Sequence, residues 1–316
     1  METRKLGSLD VSVIGLGCNN FGMRCDQEQS ARVVDSALEV GINFFDTADV
    51  YGGTQSEVFL GQALGGRRDE VIIATKFASP VDSDPEHRGA SARWIAQAVE
   101  DSLRRLGTDR IDLYQQHRPD ADVPLEETLE ALDKLVQSGK VLEIGNSNFS
   151  SEQIHQSEAI SRDKGRARFV SAQNELNLLR RRARDEVLPA CVEDGLGFLP
   201  FFPLASGLLT GKYVRGEGTP EGTRLASMPE ERRSQVLTER NYSRLEALSA
   251  FAEERGHSLL DLAFAWLLAL PGMTSVIAGA TKADQVRANS AAAGWSLSEA
   301  DLDQIDQILE AAVAED

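Results

Sequence analysis

The sequence predicts a (β/α)8 barrel built as one domain over residues 1–316. Three observations predict it. Eight short β-type runs alternate with amphipathic helix-type stretches. Most runs begin roughly 30 to 40 residues apart, about the length of one βα unit. The chain has 316 residues, 41% of them hydrophobic, enough to bury the core of one such barrel. A doubly wound open sheet is the other architecture compatible with the alternation.

Taken in order, the β-type runs are Val11–Ile14, Asn43–Asp46, Val71–Lys76, Ile111–His117, Val141–Ser147, Phe169–Asn174, Gly197–Phe201 and Ser275–Ala278. Each is short, rich in branched or aromatic residues and bounded by polar or glycine-containing segments. Between them, Ser30–Val40, Ser91–Leu106, Leu125–Ser138, Ser150–Ile160 and Arg182–Asp194 place apolar residues three and four apart, as one buried helix face requires. The seventh and eighth runs are separated by a longer segment, Pro203 to Thr274. Its first part, Gly211 to Glu239, is rich in glycine, proline and charge and reads as a large functional or mobile loop, with two helices after it. No repeat, linker or low-complexity tract divides the chain.

Charge excludes several functions. Thirty-three basic against fifty acidic residues give a net charge of −17, a field that repels nucleic acid and anionic membranes. Cys18, Cys25 and Cys191 show no metal-ligand spacing and suit a reducing cytoplasm, so neither a disulfide framework nor a metal site is expected. The N-terminus lacks a signal-peptide pattern, and the longest apolar stretch, Leu262 to Leu270, is too short to span a bilayer. A cytoplasmic protein acting on small molecules is expected; its oligomeric state is not readable.

In a barrel, chemistry belongs at the C-terminal ends of the strands. That rule selects Asp46, Lys76 and His117, with Tyr51 in the loop just beyond Asp46. A phenol is a weak acid, with an ordinary pKa of about 10, and a neighbouring ammonium makes proton donation easier. Lys76 supplies the ammonium, Asp46 holds it by a charge-assisted hydrogen bond, and His117 orients a carbonyl oxygen. Taken singly, Asp46 and Lys76 also read as a structural ion pair, Tyr51 as a packing residue and His117 as a strand-end histidine; their joint placement favours function.

The blocks "GLGCNNFG", "FFDTADVYGGTQSEVFLG", "VIIATK", "IDLYQQHRPD", "GKVLEIGNSNFS", "SAQNELNLLRR", "PLASGLLTGKY" and "VIAGATKADQVRAN" follow one another in an order that resembles the aldo-keto reductases over nearly the whole chain. The resemblance implies that Asp46, Tyr51, Lys76 and His117 form a catalytic tetrad serving a small carbonyl or alcohol substrate, and that the cofactor is NADP(H). It assigns Ser147, Asn148 and Gln173 to the nicotinamide carboxamide and Phe201 to its ring face. Leu204, Ser206 and Leu208 follow in a block near the pyrophosphate, and Asn19 lies near the reacting ring. Gly279, Ala280, Thr281 and Lys282 open the last barrel helix, where backbone N–H groups favour a phosphate. The resemblance makes this the site of the adenosine 2′-phosphate, with Gln285 and Asn289 near the adenine. Gly279 stands where many members place a basic residue, so Lys282 has to supply the charge. The substrate pocket is expected to include Cys25, Val50, Phe77 and the Gly211 to Glu239 loop.

Two nucleotide-like patterns fail on spacing. "GLGCNNFG" does not meet GxGxxG, and "GLLTGKY" lacks the Ser or Thr of a triphosphate-binding loop. The cluster Arg180 to Arg182 with Arg184 reads as a solvated helix start. The resemblance extends to potassium-channel β subunits, so an NADPH-binding regulatory subunit is the alternative function.

Overall fold

The computed structural model describes residues 1–311. An antiparallel hairpin, β1 (Thr3–Leu6) and β2 (Leu9–Ser12), precedes the barrel strands β3 (Ile14–Gly17), β4 (Phe44–Asp46), β5 (Ile72–Phe77), β6 (Ile111–Gln116), β7 (Val141–Ser147), β8 (Phe169–Gln173), β9 (Gly197–Phe198) and β10 (Val276–Gly279). These eight are parallel and ordered β10-β3-β4-β5-β6-β7-β8-β9. Hydrogen bonds from Thr274 N to Phe198 O at 3.0 Å and from Ile277 N to Pro200 O at 3.1 Å bring the eighth strand against the seventh. The chain folds as a (β/α)8 barrel.

The first barrel strand differs from the expectation. Val11–Ile14 is divided between β2 and β3, because the turn at Gly7, with φ of +59°, folds the first residues back as a hairpin. Leu6, Leu9 and Val11 pack with Phe44, Ala74, Leu113, Leu199 and Ile277, so the hairpin closes the N-terminal end of the barrel.

Period-two alternation then determines what points inward. The register pairs Lys76 with Gln115, Gln115 with Gly145, and Gly145 with Ser171, which places this set in one layer above the apolar one. Gly145 is required there: a Cβ on it would lie 2.1 Å from Ser171 Oγ and 3.2 Å from Gln115 Cγ. Its missing side chain leaves room for polar groups inside the barrel.

The helices carry the stripes that the sequence shows. Ala92–Leu106 buries Trp94, Ile95, Ala98, Val99, Ser102, Leu103 and Leu106, starts on a Ser91 cap and stops at Gly107 in the left-handed region. Asp26 and Ser150 form capping boxes for Gln27–Glu39 and Ser151–Lys164. The stretch expected over Arg182–Asp194 splits into Arg182–Glu186 and Leu188–Asp194, with Pro189 in the first turn of the second helix. In the long segment after β9, Glu239–Glu253 and Leu259–Ala269 are helical as expected, and a short helix, Glu230–Ser234, lies within the loop. That loop is anchored by Tyr213 and Leu225, both buried in the main core.

Candidate active site

Asp46 is the last residue of β4 and Lys76 the fifth of β5; both side chains point into the barrel. Lys76 is fully buried, and its Nζ donates to Asp46 Oδ2 at 2.7 Å and to Thr47 O at 2.8 Å. Asp46 Oδ1 accepts from Gln173 Nε2 at 2.8 Å and Gln115 Nε2 at 3.2 Å. The carboxylate is thus fixed by three strands besides its own. Gln173, assigned from the resemblance to nicotinamide, therefore also orients Asp46, and Gln115 was not anticipated.

Tyr51 reaches this pair from a wound loop. The Thr47 and Asp49 N–H groups donate to Ala74 O at 2.8 Å and Lys76 O at 3.2 Å, carrying the β4–β5 ladder past the strand end. Tyr51 N then turns back to Ala48 O at 3.2 Å. Gly52, with φ of +58°, lies so close to Phe21 O that a Cβ would sit 2.3 Å from it, which pins the loop beside the segment after β3. The Tyr51 ring centroid is 5.2 Å from Lys76 Nζ and 5.7 Å from the His117 ring, edge to face. The four residues converge on one barrel mouth.

Protonation follows from burial and charge. Burial opposes the Lys76 ammonium, but Asp46 and Tyr51 outweigh it and hold its pKa above the ordinary value. Burial pushes the Tyr51 phenol up, while Lys76 pulls it back. The lysine's acidifying pull is present, yet burial exceeds it, so the phenol keeps its proton at neutral pH. Burial first, then Lys76 and Arg118, lowers His117 to about 3, leaving a neutral imidazole that can donate one hydrogen bond.

A cavity of about 720 Å³ opens over these groups. Asp46, Tyr51 and His117 line its floor, and Ser147, Asn148 and Gln173 its wall. Ser147 Oγ donates to Gln173 O at 2.8 Å, while Asn148 Nδ2 donates to His117 O and Ser147 Oγ, both at 3.0 Å. Asn148 has φ of +62°, and Phe202, Ala205 and Ser206 beyond β9 are also left-handed. This unusual backbone borders the cavity.

Phe201, Leu204 and Ser206 line the cavity; Leu208 does not, being buried in the core instead. Asn19, Gly279, Ala280, Thr281, Lys282, Gln285 and Asn289 also line the cavity. Gln285 Oε1 accepts from Thr281 N at 2.8 Å and from Thr281 Oγ1 at 3.2 Å, so it shapes the turn itself. Of the residues expected around the substrate, Cys25 and Phe77 are buried, Phe77 stacking on Tyr114 outside the barrel with centroids 4.8 Å apart, and Val50 is not part of the lining. Period-two alternation explains Phe77: its neighbour Lys76 points inward.

Three cationic residues in the lining escaped the sequence reading: Arg24, Lys212 and Arg224. Arg24 Nη2 donates to Gly222 O at 3.1 Å, joining the loop after β3 to the loop after β9. Burial and the Arg24 charge lower the pKa of both Lys212 and Arg224. Among the described residues, Arg24, Lys212, Arg224 and Lys282 form no ion pair although they share one cavity.

The model of the Aldo/keto reductase family matches residues 13–310. The chain belongs to that family. It is accordingly an oxidoreductase. It is 39% identical to an uncharacterized oxidoreductase, YrpG, of Bacillus subtilis (strain 168), over 91% of this chain and 89% of that one. The aldo-keto reductase YhdN of the same organism is 37% identical over 97% and 92% of the two chains. A probable voltage-gated potassium channel subunit beta of Oryza sativa subsp. japonica is 34% identical over 92% and 90%. Among the described residues, no helix is long and apolar enough to cross a membrane.

Proposed function

We propose that this aldo/keto reductase interconverts aldehydes or ketones with alcohols using NADP(H), with Tyr51 as general acid and base. The observation that carries the reading is the buried Lys76–Asp46 pair at 2.7 Å with the Tyr51 ring beside it and neutral His117 opposite.

The cavity suits a polyanionic dinucleotide. Unpaired cations at Arg24, Lys212, Arg224 and Lys282 match a pyrophosphate and a 2′-phosphate in chemistry. The polar set of Ser147, Asn148 and Gln173 offers donors and acceptors for a carboxamide. When bound, the nicotinamide supplies a hydride to the carbonyl carbon. Tyr51 Oη gives its proton to the carbonyl oxygen in reduction and takes it back in oxidation. His117 donates to the same oxygen and orients it, and Lys76 lowers the cost of the phenolate left behind. Asp46 keeps Lys76 charged and in place.

The test is NADPH oxidation by the isolated protein with a panel of aldehydes, ketones and sugars. Turnover supports the reading. Tight NADPH binding without turnover of any carbonyl would favour the alternative, an NADPH-binding regulatory subunit.

A further inference from the structure

Behind the wall that carries Asp46 and Lys76 lies a second polar cluster, outside the barrel and inside the helix layer. Asp49, two residues before Tyr51, is 1% exposed, and its carboxyl oxygens have no side-chain hydrogen-bond partner, facing only the Val50 backbone N–H as a donor. It points outward because the extended ladder alternates: Asp46 faces in, and the backbone of Asp49 still pairs with Lys76 O. The groups around it come from every neighbouring element. The helix Gln55–Leu64 supplies Glu57, β5 supplies Thr75 and the Lys76 charge, β6 supplies Tyr114, and Ala92–Leu106 supplies Arg105 with Asp101 further out.

Both cations nearby are already used, Lys76 by Asp46 and Arg105 by Glu57. Arg105 Nε binds Glu57 Oε2 at 2.6 Å, and Thr75 Oγ1 donates to Glu57 Oε1 at 2.5 Å. Glu57 is itself fully buried. An ionised Asp49 would therefore be a second buried carboxylate beside one Arg–Glu pair, without a cation of its own. Tyr114 Oη, also buried and unpartnered, has Asp49 as its strongest charged neighbour.

We propose that Asp49 is a positioning residue for Tyr51 that works as the neutral carboxylic acid, holding the catalytic loop against the outer face of the barrel. Burial, followed by Glu57, raises its pKa well above the ordinary value, with Arg105, the Val50 N–H and Lys76 opposing. This inference rests on the role proposed for Tyr51. It also makes a statement independent of activity. Unfolded, Asp49 loses its proton near pH 4; folded, it keeps it to higher pH. The folded state then binds more protons, so this residue's contribution to stability falls as pH rises through that window.

The experiment compares wild type, Asp49→Ala and Asp49→Asn. Thermal unfolding from about pH 5 to about pH 9 should show Asp49→Asn gaining on wild type as the pH rises. In carbonyl reduction, Asp49→Ala should lower kcat by about 10- to 100-fold, the scale of a small misplacement, with NADPH affinity unchanged. Asp49→Asn, neutral and of similar shape, should restore most of it. Stability curves of wild type and Asp49→Asn that stay parallel over this range would overturn the proposal, as would an Asn variant as slow as Asp49→Ala. Full turnover in Tyr51→Phe would instead overturn the role of Tyr51, leaving the unfolding comparison to decide the state of Asp49. If Asp49→Ala does not fold, the same comparison decides.

Discussion

A fully buried ammonium persists only where it is paired, and Lys76 is held by both Asp46 and Thr47 O. Removing either partner of such a pair costs about 3 to 5 kcal/mol, so variants of Asp46 or Lys76 report on folding as much as on chemistry. Tyr51 and His117 are cleaner probes. Because burial and Lys76 lower His117 to about 3, its imidazole is neutral throughout the physiological range. The kcat/KM profile for reduction should therefore show no limb near pH 6.5. A limb there that disappears in His117→Gln would show that the histidine titrates in the working range. The four residues were legible in the sequence because each sits at or just past a strand end and each is a residue type with an obvious proton or charge role. Asp49 and Gln115 were not, since their importance lies in which face of the strand they occupy.

At the scale of elements, the hairpin and the turn after β10 carry separable loads. Leu6 is 1% exposed and closes the barrel floor against Phe44, Leu113 and Leu199. Leu6→Ala should destabilise the fold by about 2 to 5 kcal/mol, measured by denaturant unfolding, with kcat retained under native conditions. A loss of kcat at full stability would mean that the floor shapes the site directly. At the other end, Lys282 precedes Ala283–Ala291 without forming a side-chain cap. One charge-assisted contact to a 2′-phosphate contributes about 1.5 to 3 kcal/mol, so Lys282→Ala should weaken NADPH binding by roughly 10- to 150-fold and leave NADH nearly unchanged. Equal losses for both cofactors would remove Lys282 from that role. The hairpin was not legible because "VSVIGLG", apolar or glycine apart from Ser12, reads as one β-type stretch, and periodicity cannot show that it breaks between β2 and β3. Lys212 and Arg224 were hidden for another reason: their loop is placed by Tyr213 and Leu225, which become buried only through distant contacts.

For the whole molecule, the net charge of −17 opposes an anionic cofactor, whereas four cations without an ion pair among the described residues line one cavity and favour an anion there. Because these groups are accessible, added salt should weaken NADPH binding, and more steeply than NADH binding, in fluorescence titrations. A salt-independent NADPH affinity would show that the cations do not carry the binding. The barrel architecture itself was readable from alternation and spacing, whereas the sharing of one cavity by residues as far apart in sequence as Arg24 and Lys282 required the closed ring of strands. The central claim is that this ring brings a proton donor to the carbonyl oxygen at Tyr51. It is tested most directly by Tyr51→Phe, which removes one hydroxyl. Reduction should fall by at least about 100-fold, as expected for loss of general acid catalysis, while NADPH affinity stays near wild type. Turnover close to wild type would contradict the account.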